Sequence, residues 1–274
     1  MRWALWHLVA LAILVVLLYP VAWTFGASFT PSNDIVGNVA VFPAEPTGAN
    51  YARAVEGIAG VSVWTFFRNS LVLAGLAVVG TVVSSAMAAY AFGRLRFRGR
   101  GVMFAMMIGT LLLPFHVMII PQYVIFQRTG LIDTYVPLLI GRFLATEAFF
   151  VFLIVQFVRT LPRELDEAAE LDGCGHLRIF WHVVLPLARP ALITVSIFTF
   201  IWTWNDFLGP LLYLSSPESY PLPIALRAFI DQTTASDYGA MIAMSMLALV
   251  PVLLFFLAFQ RYLVDGVATS GVKG

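Results

Sequence analysis

The sequence predicts an all-α, polytopic membrane protein with six transmembrane helices. Three observations point there. Hydrophobic residues make up 60% of the chain and charged residues only 11%, and the mean hydropathy is +0.88. A soluble globular domain needs far more surface charge. Six apolar runs reach about 20 residues, enough to cross a hydrocarbon core of roughly 30 Å. Between the fourth and fifth runs lies a charged island, in which Glu164, Asp166, Glu167, Glu170 and Asp172 fall within nine positions.

The first run extends from about Leu5 to Ala27. It exceeds a signal h-region of about 7–15 residues and no A-x-A site follows it, so it reads as an uncleaved span. Residues 28–68 hold Pro31, Pro43, Pro46 and several glycines, and read as an irregular external loop. The second run, Ser70 to Phe92, carries the small residues SSAMAAYAFG, which suit close helix packing. A basic loop, RLRFRGR, follows. The third run, Met103 to Phe126, is interrupted by Pro114 and Pro121, and His116 beside them reads as a packing residue. The fourth runs from Tyr135 to Phe157, the fifth from Ala191 to Leu214 with a Gly209-Pro210 break, and the sixth from Ala240 to Tyr262 with Pro251 inside it. Such breaks survive in a bilayer where neighbouring helices or a cavity satisfy the freed backbone groups. Residues 215–238 form a second external segment, in which IALRAFI has the composition of one short helix.

Basic residues set the orientation. With both termini inside, eleven of the sixteen Lys and Arg fall on the cytoplasmic side: Arg2, Arg94, Arg96, Arg98, Arg100, Arg159, Arg163, Arg178, Arg189, Arg261 and Lys273. The opposite side keeps Arg53, Arg68, Arg128, Arg142 and Arg227. The positive-inside rule therefore places both termini in the cytoplasm, with 94–100 as a topology anchor. The single cysteine, Cys174, has no intrachain disulfide partner and falls in the packed turn of the polar island.

In the island, Pro162 suits a first helical position and the acidic residues after it suit the positive end of a helix dipole. Leu165, Ala168 and Ala169 share one face, and Asp166, Glu167 and Glu170 the other. Gly173 can take the left-handed conformation that ends a helix. A second helix starts near His176 and runs to Leu185-Pro186. Helices that lie on an anionic leaflet are usually basic, so an acidic face suits a protein groove better.

The string Glu167-Ala168-Ala169, then Asp172-Gly173, Ile179 and Leu185-Pro186 resembles the EAA motif of importer-type ABC permeases. RNSLV (68–72), AAYAFGRLRF (88–97), PxxxxxIPQY (114–123), GLIDTY (130–135), FTFIWTWNDFLGPL (198–212) and the closing QRY…GVKG extend the likeness. Together they resemble the second permease subunit of maltose-type carbohydrate importers over about residues 65–274. The resemblance implies a type I ABC importer permease fold in a bacterial or archaeal cytoplasmic membrane. It implies a first helix and external loop at 1–64, a permease core at 65–262 with a cytoplasmic coupling helix at about 163–174, and a cytoplasmic tail at 263–274. It also implies that Glu167, Ala168, Ala169, Asp172, Gly173, Leu185 and Pro186 form the ATPase-coupling segment. The partners implied are a homologous second permease subunit, two ABC ATPase subunits and a periplasmic or extracellular solute-binding protein, besides membrane lipid and without nucleic acid. The chain has no G-x-x-x-x-G-K-[ST] loop, so the expectation is no cofactor of its own, with ATP and Mg bound by the ATPases.

Intramembrane polar residues are functional candidates by default. Asn69, Arg142, Glu147, Trp204, Asn205 and Asp206 are the pathway candidates. Arg142 and Glu147 fit either a buried pair or the lining of a polar path. Trp202 and Trp204 fit either sugar stacking or an interfacial aromatic belt, and Asp206 fits either ligand contact or helix breaking. No metal site, H-E-x-x-H motif or aspartate dyad is present in the sequence, so a catalytic site is not expected. The alternative is a self-contained secondary carrier or channel. The absence of an internal repeat argues against it.

Overall fold

The computed structural model describes residues 2–230 and 237–268. The end of the C-terminal tail, with Lys273, and residues 231–236 of the second external segment lie outside the described residues. So do the side chains of Phe115, His116 and 261–268, and with them the packing role expected of His116. Among the described residues the only extended pairing is an isolated antiparallel bridge between Ile58 and Val61.

In chain order the helices are α1 (Arg2–Ala27), α2 (Ala49–Glu56), α3 (Val63–Gly93), α4 (Arg100–Thr110), α5 (Phe115–Arg128), α6 (Val136–Phe143) and α7 (Ala148–Thr160). There follow α8 (Glu164–Leu171), α9 (His176–Ile179), a π turn (Phe180–Val184), α10 (Leu185–Leu187), α11 (Arg189–Trp204), α12 (Leu208–Tyr213), α13 (Leu222–Ala228) and α14 (Tyr238–Ala268). Among the described residues four stretches are long and apolar enough to cross a membrane: Leu5–Ala27, Val63–Gly93, Val136–Thr160 and Tyr238–Gln260. A fifth is a bent pair, His176–Leu187 with Arg189–Trp204, at 76°.

The expected third span is therefore not one helix. It divides into α4 and α5 at Leu111–Pro114, and neither half is long enough alone. Pro114 carries an extended ψ of 124°, and the residue before a proline is itself pushed out of the helical region. Pro121, by contrast, is absorbed inside α5. The fourth span also breaks, at 144–147, where Ala145 has a φ of 54°. The second span starts at Val63 rather than Ser70, and the first external segment holds a helix, α2, where an irregular loop was expected. The short helix expected in IALRAFI is α13.

By packing the chain divides into two compact units, Met1–Asn69 with Tyr220–Leu253 and Ser70–Ser219 with Leu254–Gly274. In the first, Ala27, Ile35 and Ile242 form a small core edged by Trp23, Tyr238 and Met241. Its external loop is held by polar contacts. Asn50 is fully buried, donates to the Ser28 and Thr30 carbonyls at 2.9 and 2.7 Å, and accepts from Arg53 Nη2 at 2.7 Å. Arg53 in turn pairs with Asp237. Asp237 Oδ1 also accepts from the Ser32 hydroxyl at 2.7 Å and the Ala240 N–H at 2.9 Å, at the start of α14.

The second unit packs around Ala86, Ala89 and Tyr90 of α3, Phe150, Val151, Ile154, Val155 and Val158 of α7, Ile179, Phe180 and Val184, and Val195 of α11. Small residues on α3 allow this approach, as SSAMAAYAFG led us to expect. At the other end, Asp133 (φ 63°) clasps the loop after α12. Its N–H donates to the Tyr213 carbonyl at 2.7 Å, and its carboxylate accepts from Ser215 N and Ser216 N at 2.9 and 3.0 Å and from the Ser216 hydroxyl. The Ser216 hydroxyl, then the two amides, hold the Asp133 carboxyl below its ordinary pKa.

Burial alone would raise the Asp237 pKa, but the Arg53 guanidinium, the Ala240 N–H and the Ser32 hydroxyl outweigh it and hold it below 3.8. A depressed carboxylate stabilises the fold fully above its unfolded pKa and loses that contribution as pH falls through the folded value. Arg53→Ala is expected to lower the thermal unfolding midpoint of the purified protein in detergent, at a cost of about 1–2 kcal/mol at neutral pH. The difference from the unaltered chain should shrink as the buffer is taken below about pH 4.

Candidate coupling segment and pathway residues

Helix α8 is short, and its two ends are made differently. Glu164, Asp166 and Glu167 occupy its first turn, where carboxylates offset the unsatisfied N–H groups. Pro162 lies before the helix rather than at its first position, and Arg163 is the residue that opens it. At the other end Gly173 has a φ of 79°. The Cys174 N–H donates to the Ala169 carbonyl and the Gly173 N–H to the Glu170 carbonyl, both at 2.9 Å. This pair of bonds is a Schellman motif, and its left-handed residue favours glycine. Beyond it the chain turns sharply into α9.

The helix expected from His176 to Leu185-Pro186 is present but widened to a π turn at Phe180–Val184, where the Leu185 N–H donates to the Phe180 carbonyl. Pro186 explains the widening. It has no N–H to give residue 182, and its ring would collide with that carbonyl in an ordinary α turn.

Asp166 turns inward. Its Oδ2 lies 3.3 Å from Arg94 Nε, with only 5% of the Arg94 side chain and 17% of the Asp166 side chain exposed. The pair is aligned as an ion pair and not as a hydrogen bond. Arg94 Nη2 also donates to the Leu161 carbonyl at 2.9 Å, just before α8. One arginine from the end of α3 therefore grips both the approach to α8 and its first turn. Sequence reasoning placed Arg94 among topology anchors and missed this role. The available signal was its position directly after Gly93, at the end of an apolar helix, inside AAYAFGRLRF.

The inward turn corrects the expected faces. A cleft of about 580 Å³ lies between Arg94, Arg96 and Arg163 on one side and Asp166, Glu167 and Glu170 on the other. The acidic face looks toward the chain's own arginines. Ala169 and Cys174 pack against the core, which agrees with the packed turn expected for Cys174. The outward surface is instead apolar, with Leu171 90% and Leu177 75% exposed. Ala168, Asp172 and Gly173 are exposed beside them, and Leu185 and Pro186 are half-buried. Glu167 is exposed and has no hydrogen bond or ion pair among the described residues.

Three pathway candidates come together at the breaks in the membrane helices. Arg142 Nη1 pairs with Glu147 Oε1 at 2.8 Å across the gap between α6 and α7. Asp206 is within electrostatic reach of Arg142. Its Oδ1 accepts from the Gly209 N–H at 3.1 Å, which starts α12. A Cβ at Gly209 would meet Asp206 Oδ2 at 2.6 Å and Leu138 Cδ2 at 3.0 Å, so a larger residue there would have to displace the Asp206 carboxylate. Ser84, which sequence reasoning did not single out, donates from α3 to the Arg142 carbonyl at 2.7 Å.

The other three candidates go elsewhere. Asn205 is exposed and bonds back to the Ile201 carbonyl at 2.8 Å. Trp204 is buried and stacks on Phe200 with centroids 5.5 Å apart. Asn69 belongs to the first unit, where it donates to the Tyr220 carbonyl at 3.1 Å. Trp202, which is 46% exposed, sits among Phe149, Phe150 and Phe198. Among the described residues no group of His, Cys, Asp or Glu is arranged to hold a metal ion.

An apolar helical chain with broken spans, a polar cluster at the breaks and an exposed, braced helix between them defines a membrane-embedded transport subunit. The chain belongs to the family of binding-protein-dependent transport system inner membrane components, whose pattern it matches over residues 80–269, and its fold is that of type I ABC importer permeases. It is 34% identical to the diacetylchitobiose uptake system permease protein of Streptomyces coelicolor, over 98% of this chain and 96% of that protein. It is 33% identical to the sn-glycerol-3-phosphate transport system permease protein of Agrobacterium fabrum, over 96% and 95% respectively. Among solved structures it resembles a bacterial ABC transporter involved in the import of the acidic polysaccharide alginate, with a TM-score of 0.83 and 25% identity over 95% of this chain and 96% of that one. The likeness therefore extends through α1 and the first external loop.

Asp166→Ala would leave the Arg94 charge buried without its partner, at a cost of about 3–5 kcal/mol. Arg94→Met together with Asp166→Leu should recover much of that loss. Thermal unfolding of the singles and the double in detergent checks this, with a coupling of about 3 kcal/mol or more expected.

Proposed function

We propose that this chain is a permease subunit that passes a sugar or oligosaccharide across a bacterial or archaeal cytoplasmic membrane, with both termini in the cytoplasm. It works with a homologous second permease subunit, two ABC ATPases and an external solute-binding protein. ATP and Mg reside on the ATPases. The observation that carries this reading is the surface of α8 and α9. An unpaired Glu167 stands beside Ala168, Leu171 and Leu177, on a helix that Arg94 and the Gly173 turn fix from behind. A large exposed leucine on α8, outside the apolar spans, with a second at the very start of α9, favours burial against a partner, and a free carboxylate at their edge suits a basic or amide group on it.

In this mechanism ATP binding closes the ATPase pair and moves α8. The Arg94–Asp166 pair and the Leu161 carbonyl join α8 to α3 and α7, so a push on α8 is delivered to those helices and not dissipated in a loose loop. The permease then turns from inward- to outward-facing, and the binding protein releases its solute into the cavity.

The carbohydrate reading draws on the relatives. Besides diacetylchitobiose, a permease that is 31% identical and found in Halalkalibacterium halodurans carries the name of an arabinooligosaccharide system. The aromatic group around Trp202 beside the Arg142–Glu147–Asp206 cluster supports it too, because rings suit the apolar face of a sugar and charged groups its hydroxyls. The solute retained by the cognate binding protein identifies the cargo.

Glu167→Lys is expected to reduce solute uptake by the reconstituted transporter to background and to uncouple ATP hydrolysis, with normal membrane insertion. Undiminished uptake by that variant would overturn the coupling role. The purified chain alone should show no ATP binding at physiological nucleotide concentrations, and transport by it without an ATPase would favour a self-contained carrier instead.

A further inference from the structure

Between Asp34 and Glu45 the first external loop runs through ten residues without a charge, Ile35 to Ala44. This stretch folds back along α1. Ile35 is buried in the core with Ala27 and Ile242, at the C-terminal end of that helix. The Asn38 carbonyl then accepts from Trp23 Nε1 at 3.0 Å, and the Val39 carbonyl from the Tyr19 hydroxyl at 2.8 Å. Tyr19 lies eight residues before Ala27, about 12 Å back along the helix at 1.5 Å per residue. The chain returns past Gly26, where a Cβ would overlap the Val41 carbonyl. The Thr47 N–H closes the excursion on the Phe29 carbonyl at 2.7 Å.

The level of that excursion on α1 is set by aromatic residues. Trp and Tyr collect at both boundaries between membrane and water. Trp3 and Trp6, both exposed, lie near one end of α1, and Tyr19 and Trp23 near the other. Trp3 and Trp23 are twenty residues apart, which is about 30 Å of helix and matches a hydrocarbon core of roughly 30 Å. The loop tip, bonded to Tyr19 and Trp23, therefore sits at the second boundary. There Val36, Val39 and Phe42 are 72, 75 and 85% exposed. The backbone that carries them is closed from within. Besides the two carbonyls, the Asn38 N–H donates to the Ile35 carbonyl at 3.2 Å, and the Ala40 N–H to Asn38 Oδ1 at 2.9 Å. A loop in water has no need of such closure, whereas backbone set against lipid does. Asp34 and Glu45, exposed at either end of the stretch, suit the headgroup side.

We propose that residues 35–44 form an interfacial wedge, held on α1 by Tyr19 and Trp23, that sets Val36, Val39 and Phe42 among the acyl chains of the nearer leaflet. The partner of this apolar surface is lipid, entered to a depth of about 5–10 Å. Gly26 lets the returning strand lie directly on the helix. The wedge fixes the depth of α1 and roots the loop whose far end carries Asn50 and Arg53. It goes beyond the permease reading and is independent of the solute carried.

The test uses the assembled transporter in vesicles of phosphatidylethanolamine and phosphatidylglycerol. Val39→Cys, Phe42→Cys and Glu45→Cys are each labelled with a nitrobenzoxadiazole fluorophore, and the unaltered chain, carrying its own Cys174, is the background. Exchange of the lipids for forms brominated in the acyl chains is expected to quench the labels at positions 39 and 42 and to leave the one at 45 bright. Emission from the first two should also be shifted to the blue. Tyr19→Phe with Trp23→Phe removes both donors and keeps a ring at each position. In that background the label at 39 should shift to the red and lose quenching. Water-like emission at 39 and 42 overturns the proposal. So does blue emission without quenching, which marks a protein surface such as the second permease subunit, and so does a change seen only when the binding protein is added. Quenching that survives unchanged with phenylalanine at 19 and 23 overturns it as well. None of these outcomes touches the permease reading, which uptake by Glu167→Lys tests separately.

Discussion

Everything in the membrane part of this chain answers to one constraint. A backbone N–H or C=O in hydrocarbon must be satisfied by the protein itself, because no water is there to do it. Two interruptions of the membrane helices are accordingly closed by named side chains. At the gap between α6 and α7, the Thr146 hydroxyl donates to the Gly141 carbonyl at 2.9 Å and Ser84 covers the Arg142 carbonyl. At the gap between α11 and α12, Asp206 takes the Gly209 N–H. The polar residues that close these breaks are also the ones that give the second unit polar groups among its apolar helices.

The second organising contact is the Arg94–Asp166 pair. Surface ion pairs contribute little because both ions are already well solvated. This one is largely withdrawn from water, so either charge left alone is costly and the geometry is held firmly. It turns the acidic side of the helix, Glu167 included, toward the chain's own arginines and leaves Leu171 and Leu177 facing away. The outward surface is therefore mainly apolar, with one unpaired carboxylate at its edge.

Much of the fold was legible in the sequence for a simple reason. Runs of about 20 apolar residues have few stable options besides a spanning helix. The Gly173 turn was legible because a left-handed residue after an acidic amphipathic helix favours glycine. The Arg142–Glu147 pairing was one of two arrangements the sequence left open, and two opposite charges five residues apart in hydrocarbon have strong reason to meet. Less was visible where the outcome depended on a remote neighbour. The division of the third span at Pro114 but not at Pro121 shows this. Both prolines lack the same N–H, and only their surroundings decide which one ends a helix.

By itself the sequence determined the helical membrane class, the place of the polar segment between the fourth and fifth runs, and the kinship carried by Glu167-Ala168-Ala169 and Gly173. These follow from local composition and spacing. Tertiary structure alone decided that Asp166 rather than Glu167 is engaged within the chain and that Arg94 is a brace. It also decided that Trp204 packs in a core while Arg142, Glu147 and Asp206 gather at the helix breaks. Burial and charge pairing are properties of which segments meet, and residues as far apart as 94 and 166 acquire that relation only when α3 and α8 are brought together.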